Sequence, residues 1–292
     1  MIVVVGDLVT DVLVEHDGPL RTGSDTDAAI RVTGGGQAAN TAAWLAHIGH
    51  RVTLVSAVGD DAAGRDRVAE LETAGVRCAV RICPGTATGS VVVLSSAGER
   101  TMITDRGASL RLTPEHVTAA IADAPAATHL HLSGYPLLHA GSRAAGLAAL
   151  TAAGRRGLTV SVDAASAAPL RSAGAQNFLT WVRDTALLLC NADEADVLAG
   201  PGSAAEQAGR LTAHVRNAVV KQGAAGAVWS GRDGLVVSGR APAVPLKDPT
   251  GAGDAFAAGL LAAWTSGSSP EAALAAGAGL GAAAVTVLGA RP

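Results

Sequence analysis

The segment DPTGAGDAF, Asp248 to Phe256, sets three small residues directly before a carboxylate, and AFAAGLLAAW then reads as a helix. Gly251, Ala252 and Gly253 leave their backbone N–H groups unshielded. At a helix N-terminus such groups, with the helix dipole, hold anionic oxygens. The bare backbone at Gly251 and Gly253 lets a phosphate come close. Asp254 would repel that phosphate unless it faces a different ligand. A hydroxyl that attacks the phosphorus is such a ligand, and Asp254 can accept its proton. A carboxylate of ordinary pKa would serve, because deprotonation can be late in a loose transition state. The plain alternative is an aspartate capping a helix behind a glycine turn, and spacing alone leaves both open. NADE, Asn191 to Glu194, follows the apolar LLLC and so ends a strand, where α/β sheets place ligands. Asn191 can donate to a phosphate and Glu194 can hold the water shell of Mg2+. Equally, Asn191 can cap a helix that starts at Ala192. Lys221 ends another strand, with Gly223 and Gly226 close behind it. A lysine at a strand end is most often solvated.

The order of these segments resembles the ribokinase-like (PfkB-type) carbohydrate kinases along the whole chain. DPTGAGDAF resembles the family's DTxGAGD signature, and GGQAAN, Gly35 to Asn40, resembles its GGxxxN sugar-site motif. GERTM and DRGAS, around 98–109, resemble its second lid segment. NADE matches its NxxE element and VKQGAAGA, Val220 to Ala227, its nucleotide strand and turn. The resemblance implies an α/β, ribokinase-like three-layer sandwich with a mostly parallel central sheet and a small β-sheet lid. It implies one kinase domain over 1–292, with lid segments at about 8–33 and 86–106. The implied activity is ATP-dependent phosphorylation of a hydroxyl on a small sugar or sugar-like substrate.

In that family Asp254 would be the general base, and Gly251, Ala252 and Gly253 the anion hole. Asp11, Gly35, Gly36 and Asn40 would bind the substrate, with Asp11 taking two hydroxyls of a diol. Asn191, Lys221, Gly223 and Gly226 would hold ATP, and Glu194 would hold Mg2+ through water. Asp248 and Thr250, with carbonyls near Ala284, Val287 and Gly289, match a monovalent cation site suited to K+. Some positions depart from the pattern. Val9 stands where ribose kinases carry Asn, which argues against ribose. Ala278 stands where many relatives place an Asn in the base pocket, so nucleotide preference is open. Pro249 replaces the usual Thr. Arg106 occupies a lid position where kinases of the sugar acid ketodeoxygluconate carry Arg. It is a candidate for a substrate carboxylate, and a solvated lid arginine is the alternative. Adenosine-type nucleoside kinases share these motifs and are the rival within the class. A non-catalytic sugar sensor on the same fold would have lost the base. Lids in relatives often pair between subunits, and the apolar Val91, Val92 and Val93 make a homodimer contact there plausible.

The elements that must position these residues are also legible. MIVVVGD, RVTLVSAVGDD, THLHLSG, LTVSVDA, TALLLCNADE, AVVKQGAAGAVWS and GLVVSG read as buried strands, and helical stretches lie between many of them. QAANTAAWLAHIGH and AGRDRVAELETAGV read as helices, the second ending at Gly75. GSVVVLSSAGERTMITDRGA reads as a hairpin turning around Ser96 to Glu99. Strands alternating with helices argue for a parallel sheet with right-handed crossovers.

Composition narrows the function classes. The chain has 292 residues, 49% of them apolar but only 2% aromatic, so its core must be aliphatic and small. A net charge of -3 without a basic tract argues against nucleic-acid binding. Cys78, Cys83 and Cys190 lack metal-ligand spacing and fit reduced thiols in the cytoplasm. The start lacks the look of a signal peptide. Ala272 to Ala290 is uncharged but rich in Ala and Gly, so it reads as a buried helix rather than a membrane span. Gly34-x-Gly36-x-x-Ala39 fits a dinucleotide fingerprint, which makes an NAD-dependent dehydrogenase the remote alternative. It follows the polar IRVT rather than the first buried strand. His129 and His131 would share one strand face, without an evident third metal ligand. Ser133 has no GxSxG around it.

Overall fold

Apolar runs of four to eight residues alternate along the chain with Ala-rich helices, and the strands they form fall into two sheets. The computed structural model describes residues 1–96 and 99–292, with the backbone alone at 99 and 100. The strands are, in chain order, β1 (Ile2–Val5), β2 (Val9–His16), β3 (Ala28–Gly35), β4 (Val52–Gly59), β5 (Arg77–Cys83), β6 (Ser90–Ser96), β7 (Glu99–Asp105), β8 (His129–Ser133), β9 (Thr159–Asp163), β10 (Leu187–Asn191), β11 (Asn217–Lys221), β12 (Ala227–Gly231) and β13 (Val236–Gly239). The turn expected at Ala97 and Gly98 lies outside the described residues.

The large sheet has nine strands in the order β13-β12-β11-β10-β9-β8-β1-β4-β5. It is parallel from β5 to β11 and antiparallel at β12 and β13. Its central strands read as unbroken apolar runs because both of their faces are covered. Val3, Val5, Leu130, Leu132 and Leu188 pack into one core layer, and Ile2, Val4, Leu54, Leu187 and Leu189 into the other. Helices Pro114–Ala122, Ala140–Arg155 and Ala192–Ala199 cover the first layer. Helices Gln37–His47, Ala252–Thr265 and Pro270–Ala284 cover the second. The result is the expected three-layer α/β arrangement. β5 escapes the sequence reading because RCAVRIC mixes charge with apolar residues, as suits the edge position it takes.

β2 and β3 leave the large sheet after β1 and join β6 and β7 in a second, four-stranded sheet of order β3-β2-β6-β7. Only the β2–β6 pair in it is parallel. Both segments expected to form a small β unit lie here, and β3 runs on to Gly35, next to the helix at Gln37. That topology also removes the dinucleotide fingerprint, since its glycines end a strand of the small sheet. Val91 and Val93 do not face outward as an apolar contact surface. They are buried against Val9, because alternation turns them toward the body. The exposed large apolar side chains described in this sheet are Ile30, Val32, Met102 and Ile103.

The uncharged stretch expected as a helix over Ala272 to Ala290 is helical only to Ala284, within the 15-residue helix Pro270–Ala284, and then turns. No helix among the described residues is long and apolar enough to cross a membrane. It packs on helix Ala252–Thr265 through missing side chains. A Cβ on Gly259 would lie 2.6 Å from the Ala276 carbonyl oxygen, and one on Gly277 would lie 2.9 Å from that of Phe256. Gly279 on the same helix has open space. Gly259→Ala should therefore cost about 1–3 kcal/mol and lower Tm by several degrees, because backbone must move. Gly279→Ala should raise stability by about 0.5–1 kcal/mol. Thermal unfolding of both variants checks this, and equal effects would contradict the close packing.

Candidate active site

Ligands in parallel sheets gather at the carboxyl ends of strands, where the strand order changes direction. Here that change falls between β1 and β8. Each strand end nearby delivers a polar residue: Asp7 just past β1, Ser133 on β8, Asp163 on β9, Asn191 on β10 and Lys221 on β11. Several of them bond to one another. Lys221 Nζ donates to Asp163 Oδ2 at 2.7 Å, and Gln37 Nε2 donates to Asp163 Oδ1 at 2.8 Å. Ser133 Oγ donates to Gln37 Oε1 at 2.5 Å. Arg106 Nη1 donates to Asp7 Oδ2 at 3.2 Å, and its guanidinium lies 3.7 Å over the Tyr135 ring. Asp7, Gln37, Asp163 and Tyr135 escaped the sequence reading, and Ser133 entered it only as a hydrolase nucleophile that lacked its motif. Their shared position at or beside the strand ends was the signal that could have found them.

Helix Ala252–Thr265 brings Asp254 to the same edge. Gly251 caps it in the left-handed region at φ 76°, and a Cβ there would overlap the Ala290 backbone. Both facts demand glycine. The Ala252 N–H already donates to the Pro249 carbonyl at 3.3 Å. Helix geometry leaves the next two amides, of Gly253 and Asp254, without intrahelical acceptors. A Cβ on Gly253 would meet Lys221 Nζ at 3.5 Å, so an ammonium stands beside the bare amide. Burial pulls that ammonium toward neutrality, but the carboxylates of Asp163 and Glu194 outweigh it and hold Lys221 charged. An anion arriving at Gly253 therefore meets a cation and an amide together.

Asp254 is partly open to the cleft and otherwise enclosed by protein. Burial pushes its carboxyl up to about 8. The Asn40 hydrogen bond and Lys221 oppose the rise, while Asp163 and Asp7 add to it. The ordinary pKa expected from sequence is therefore not what the fold provides. Asn40 Nδ2 donates to Asp254 Oδ2 at 2.9 Å, and Asn40 Oδ1 accepts from Arg291 Nε at 3.1 Å. Asp11 lies against Gly35, where any Cβ would overlap its carboxylate. Burial raises Asp11 to about 6, with Arg291 the largest opposing charge. Gly36 begins helix Gln37–His47, and a Cβ there would sit 2.5 Å from the Asp7 carbonyl oxygen. Asp11, Gly35, Gly36, Asn40 and Asp254 are thus brought together. Arg106 joins them through Asp7 rather than as a solvated lid residue.

Other expected residues land differently. Asn191 and Glu194 form a capping box: Asn191 Oδ1 accepts from Glu194 N–H at 2.9 Å, and Glu194 Oε2 accepts from Asn191 N–H at 2.8 Å. Asn191 Nδ2 donates to Glu194 Oε1 at 2.7 Å as well. The helix-cap alternative is therefore realised. Glu194 remains close to the site, since burial and the charge of Asp163 raise it to about 7 against the pull of Lys221. Gly223 is exposed, whereas Gly226 is buried because a Cβ would overlap the Gly239 carbonyl. Its room serves β13 rather than open space. Ala278 is buried against the neighbouring helix. The Asp248 carboxylate accepts from Thr250 N–H at 2.8 Å and from Gly289 N–H at 3.0 Å, clasping two loops together. The Ala284 carbonyl accepts from Val287 N–H at 3.3 Å. His129 and His131 hydrogen-bond to Ser161 Oγ at 2.8 Å each, and burial holds them neutral, down to about 3 and about 4. No group of three or more His, Cys, Asp or Glu among the described residues could hold a metal ion.

Comparison with known proteins decides the family. The carbohydrate-kinase pattern of the pfkB family matches residues 1–292. The chain belongs to the pfkB family of carbohydrate kinases. It is 33% identical over 270 residues to a fructokinase of Klebsiella pneumoniae, spanning 89% of this chain and 82% of that one. Among solved structures, adenosine kinase from Sinorhizobium meliloti shares the fold with a TM-score of 0.88 at 23% identity, covering 100% of this chain and 95% of that chain. Ribokinase of Arabidopsis thaliana, complexed with ribose and ATP, shares it with a TM-score of 0.83 at 25% identity, covering 99% and 93%. The protein is a sugar or nucleoside kinase of this family, a phosphotransferase.

In this pfkB kinase a buried charge pair stands at the strand ends. Side chains of Lys221 and Asp163 are 14% and 3% exposed. Removing one partner of such a pair leaves the other uncompensated. Lys221→Met should cost about 3–5 kcal/mol in denaturant unfolding. The double variant Lys221→Met, Asp163→Asn should recover most of that loss. A Lys221→Met protein as stable as wild type would contradict the coupling.

Proposed function

We propose that this kinase phosphorylates a hydroxyl of a small neutral sugar, using ATP, with Asp254 as the general base. The observation that carries the reading is Asp254 standing one residue from the bare Gly253 amide, with Lys221 beside that amide. A hydroxyl oxygen attacks the terminal phosphorus of ATP, its proton passes to the Asp254 carboxylate, and ADP leaves. Charge grows on the transferred phosphoryl oxygens, where the Gly253 amide, the helix N-terminus and Lys221 stabilise it. Asn191 and the exposed Gly223 line the approach for the rest of the nucleotide, while Ala278 offers the base no polar contact. The cradle left by Gly253 fits a phosphate, and Glu194 suits an ion bound through water, since both its oxygens serve Asn191. Mg2+ held near Glu194 would supply positive charge against the phosphates.

Neutrality of the substrate follows from charge already matched. Arg106 is committed to Asp7 and Tyr135, and Arg291 to Asn40, Gly35 and Glu70. Asp11 is then left to take the hydroxyls of a polyol. These commitments disfavour a sugar acid at Arg106. The fructokinase relative makes fructose the first substrate to try. Adenosine is the second, from the structural likeness to an adenosine kinase. The small sheet, which carries Asp11 and Gly35, would act as a lid over the sugar and exclude water. The exposed Ile30, Val32 and Ile103 share one side of the small sheet by register and would be the face through which two copies pair. Asp248 and Thr250, with the carbonyls of Ala284, Val287 and Gly289, are the place for K+. With unpaired cysteines throughout, a cytoplasmic setting fits.

ATP consumption against ketoses, aldoses, sugar acids and nucleosides tests the reading. A neutral sugar should give the highest kcat/KM, and Asp254→Asn should abolish turnover while substrate still binds. Near wild-type turnover in that variant would remove Asp254 from the base role. Gly253→Ala meets only the end of a flexible lysine, so it should fold normally yet lose tenfold or more, about 1.4 kcal/mol or more of transition-state stabilisation. Unchanged activity there would count against the phosphoryl cradle.

A further inference from the structure

Arg291 lies two residues past Gly289 and far along the chain from Gly35 and Asn40, yet its guanidinium reaches both. Nε donates to Asn40 Oδ1 at 3.1 Å. Nη2 donates to the Gly35 carbonyl at 2.8 Å, and Nη1 meets Glu70 Oε2 at 3.5 Å. The side chain is only 14% exposed. Its backbone is held as well. The Ala290 carbonyl accepts from Trp44 Nε1 at 2.9 Å, and Gly251 packs on the Ala290 backbone. The segment carrying Arg291 therefore runs against the loop that starts the Asp254 helix.

An asparagine amide has two unlike ends, one accepting and one donating, whereas a guanidinium only donates. Arg291 requires the Asn40 oxygen on its own side. That leaves Asn40 Nδ2 for Asp254, at 2.9 Å. Turned end for end, the amide would set oxygen against carboxylate and N–H against guanidinium, and both contacts would repel. We propose that Arg291 is a positioning residue for phosphoryl transfer: by holding Asn40 Oδ1 it fixes the Asn40 donor on Asp254. The inference rests on Asp254 being the base.

The relay acts within a defined set of charges. Asn40 and Lys221 favour the ionised Asp254, while burial, Asp163 and Asp7 oppose it. Tyr135 and Arg291 face the same carboxyl. Arg291 itself is drawn down to about 10 by burial, against the support of Glu70 and Asp11. It thus stands between the residue that meets the sugar, Asp11, and the residue that takes the proton. A neutral side chain at 291 would release the amide and remove a cation, and both changes favour the protonated base.

The test reads Asp254 directly in the free protein. Aspartate labelled with 13C at the carboxyl is titrated by NMR, and the signal missing in Asp254→Asn identifies the group. Arg291→Met should raise the Asp254 midpoint by about one pH unit, and Arg291→Lys by less, since one charge remains without the fork. In an Asn40→Leu background either substitution should add little, which is the signature of coupling through Asn40. An unmoved midpoint in Arg291→Met overturns the proposal. So does an equal shift with and without Asn40, because Arg291 would then act by charge alone. If Arg291→Met fails to fold, Arg291→Lys carries the same comparison. Failure of the underlying reading looks different: Asp254→Asn would keep sugar-dependent ATP consumption whatever the titrations gave.

Discussion

Two like charges must meet at one helix end. The first turn of helix Ala252–Thr265 offers bare amides to an anion and also carries Asp254. Left alone, the carboxylate would repel an anion at those amides. The surrounding structure keeps the two apart. Gly251 turns the chain through a left-handed conformation against Ala290, which fixes where the helix begins. Asn40 draws the Asp254 carboxylate toward helix Gln37–His47, and Lys221 places a cation beside Gly253. Burial makes Asp254 hold its proton more tightly than an ordinary aspartate, which lowers the repulsion further.

The rest of the site follows from holding those few groups. Lys221 needs a partner because it is nearly buried, and Asp163 supplies it. Asp163 is held in turn by Gln37, and Gln37 by Ser133. Arg106 and Asp7 form a second enclosed pair under the small sheet. Such pairs contribute little net stability after desolvation, but breaking one is costly. Their role here is to set geometry across strand ends that no local bonding would fix. Each member comes from a different element, so the site exists only when the large sheet is assembled.

Much of this was legible in the sequence, for physical reasons. Parallel strands buried on both faces leave apolar runs, so β1, β4, β8, β9 and β10 announce themselves. Gly251 and Gly35 mark places of close approach, against the Ala290 backbone and the Asp11 carboxylate, and Gly253 is left bare beside Lys221. The remainder depended on contacts between distant residues. Asn191 and Glu194 carry the same spacing whether they cap a helix or approach a phosphate, and only packing showed the capping box. Val91 and Val93 are equally apolar on either face of a strand, and register alone turned them inward. Gly226 gives way to Gly239, a neighbour that appears only once β12 and β13 pair. Arg291 sits in no pattern at all. Its partners, Gly35, Asn40 and Glu70, are more than two hundred residues away along the chain.

The proposed base, Asp254, holds its proton tightly because of its surroundings. The pH dependence of kcat/KM for sugar-dependent ATP consumption measures this most directly. Only the ionised carboxylate can take the hydroxyl proton, so kcat/KM should climb with a one-proton slope and level off above about pH 8. A profile already flat from pH 6 upward would contradict the account, since the group that matters would then titrate near an ordinary aspartate.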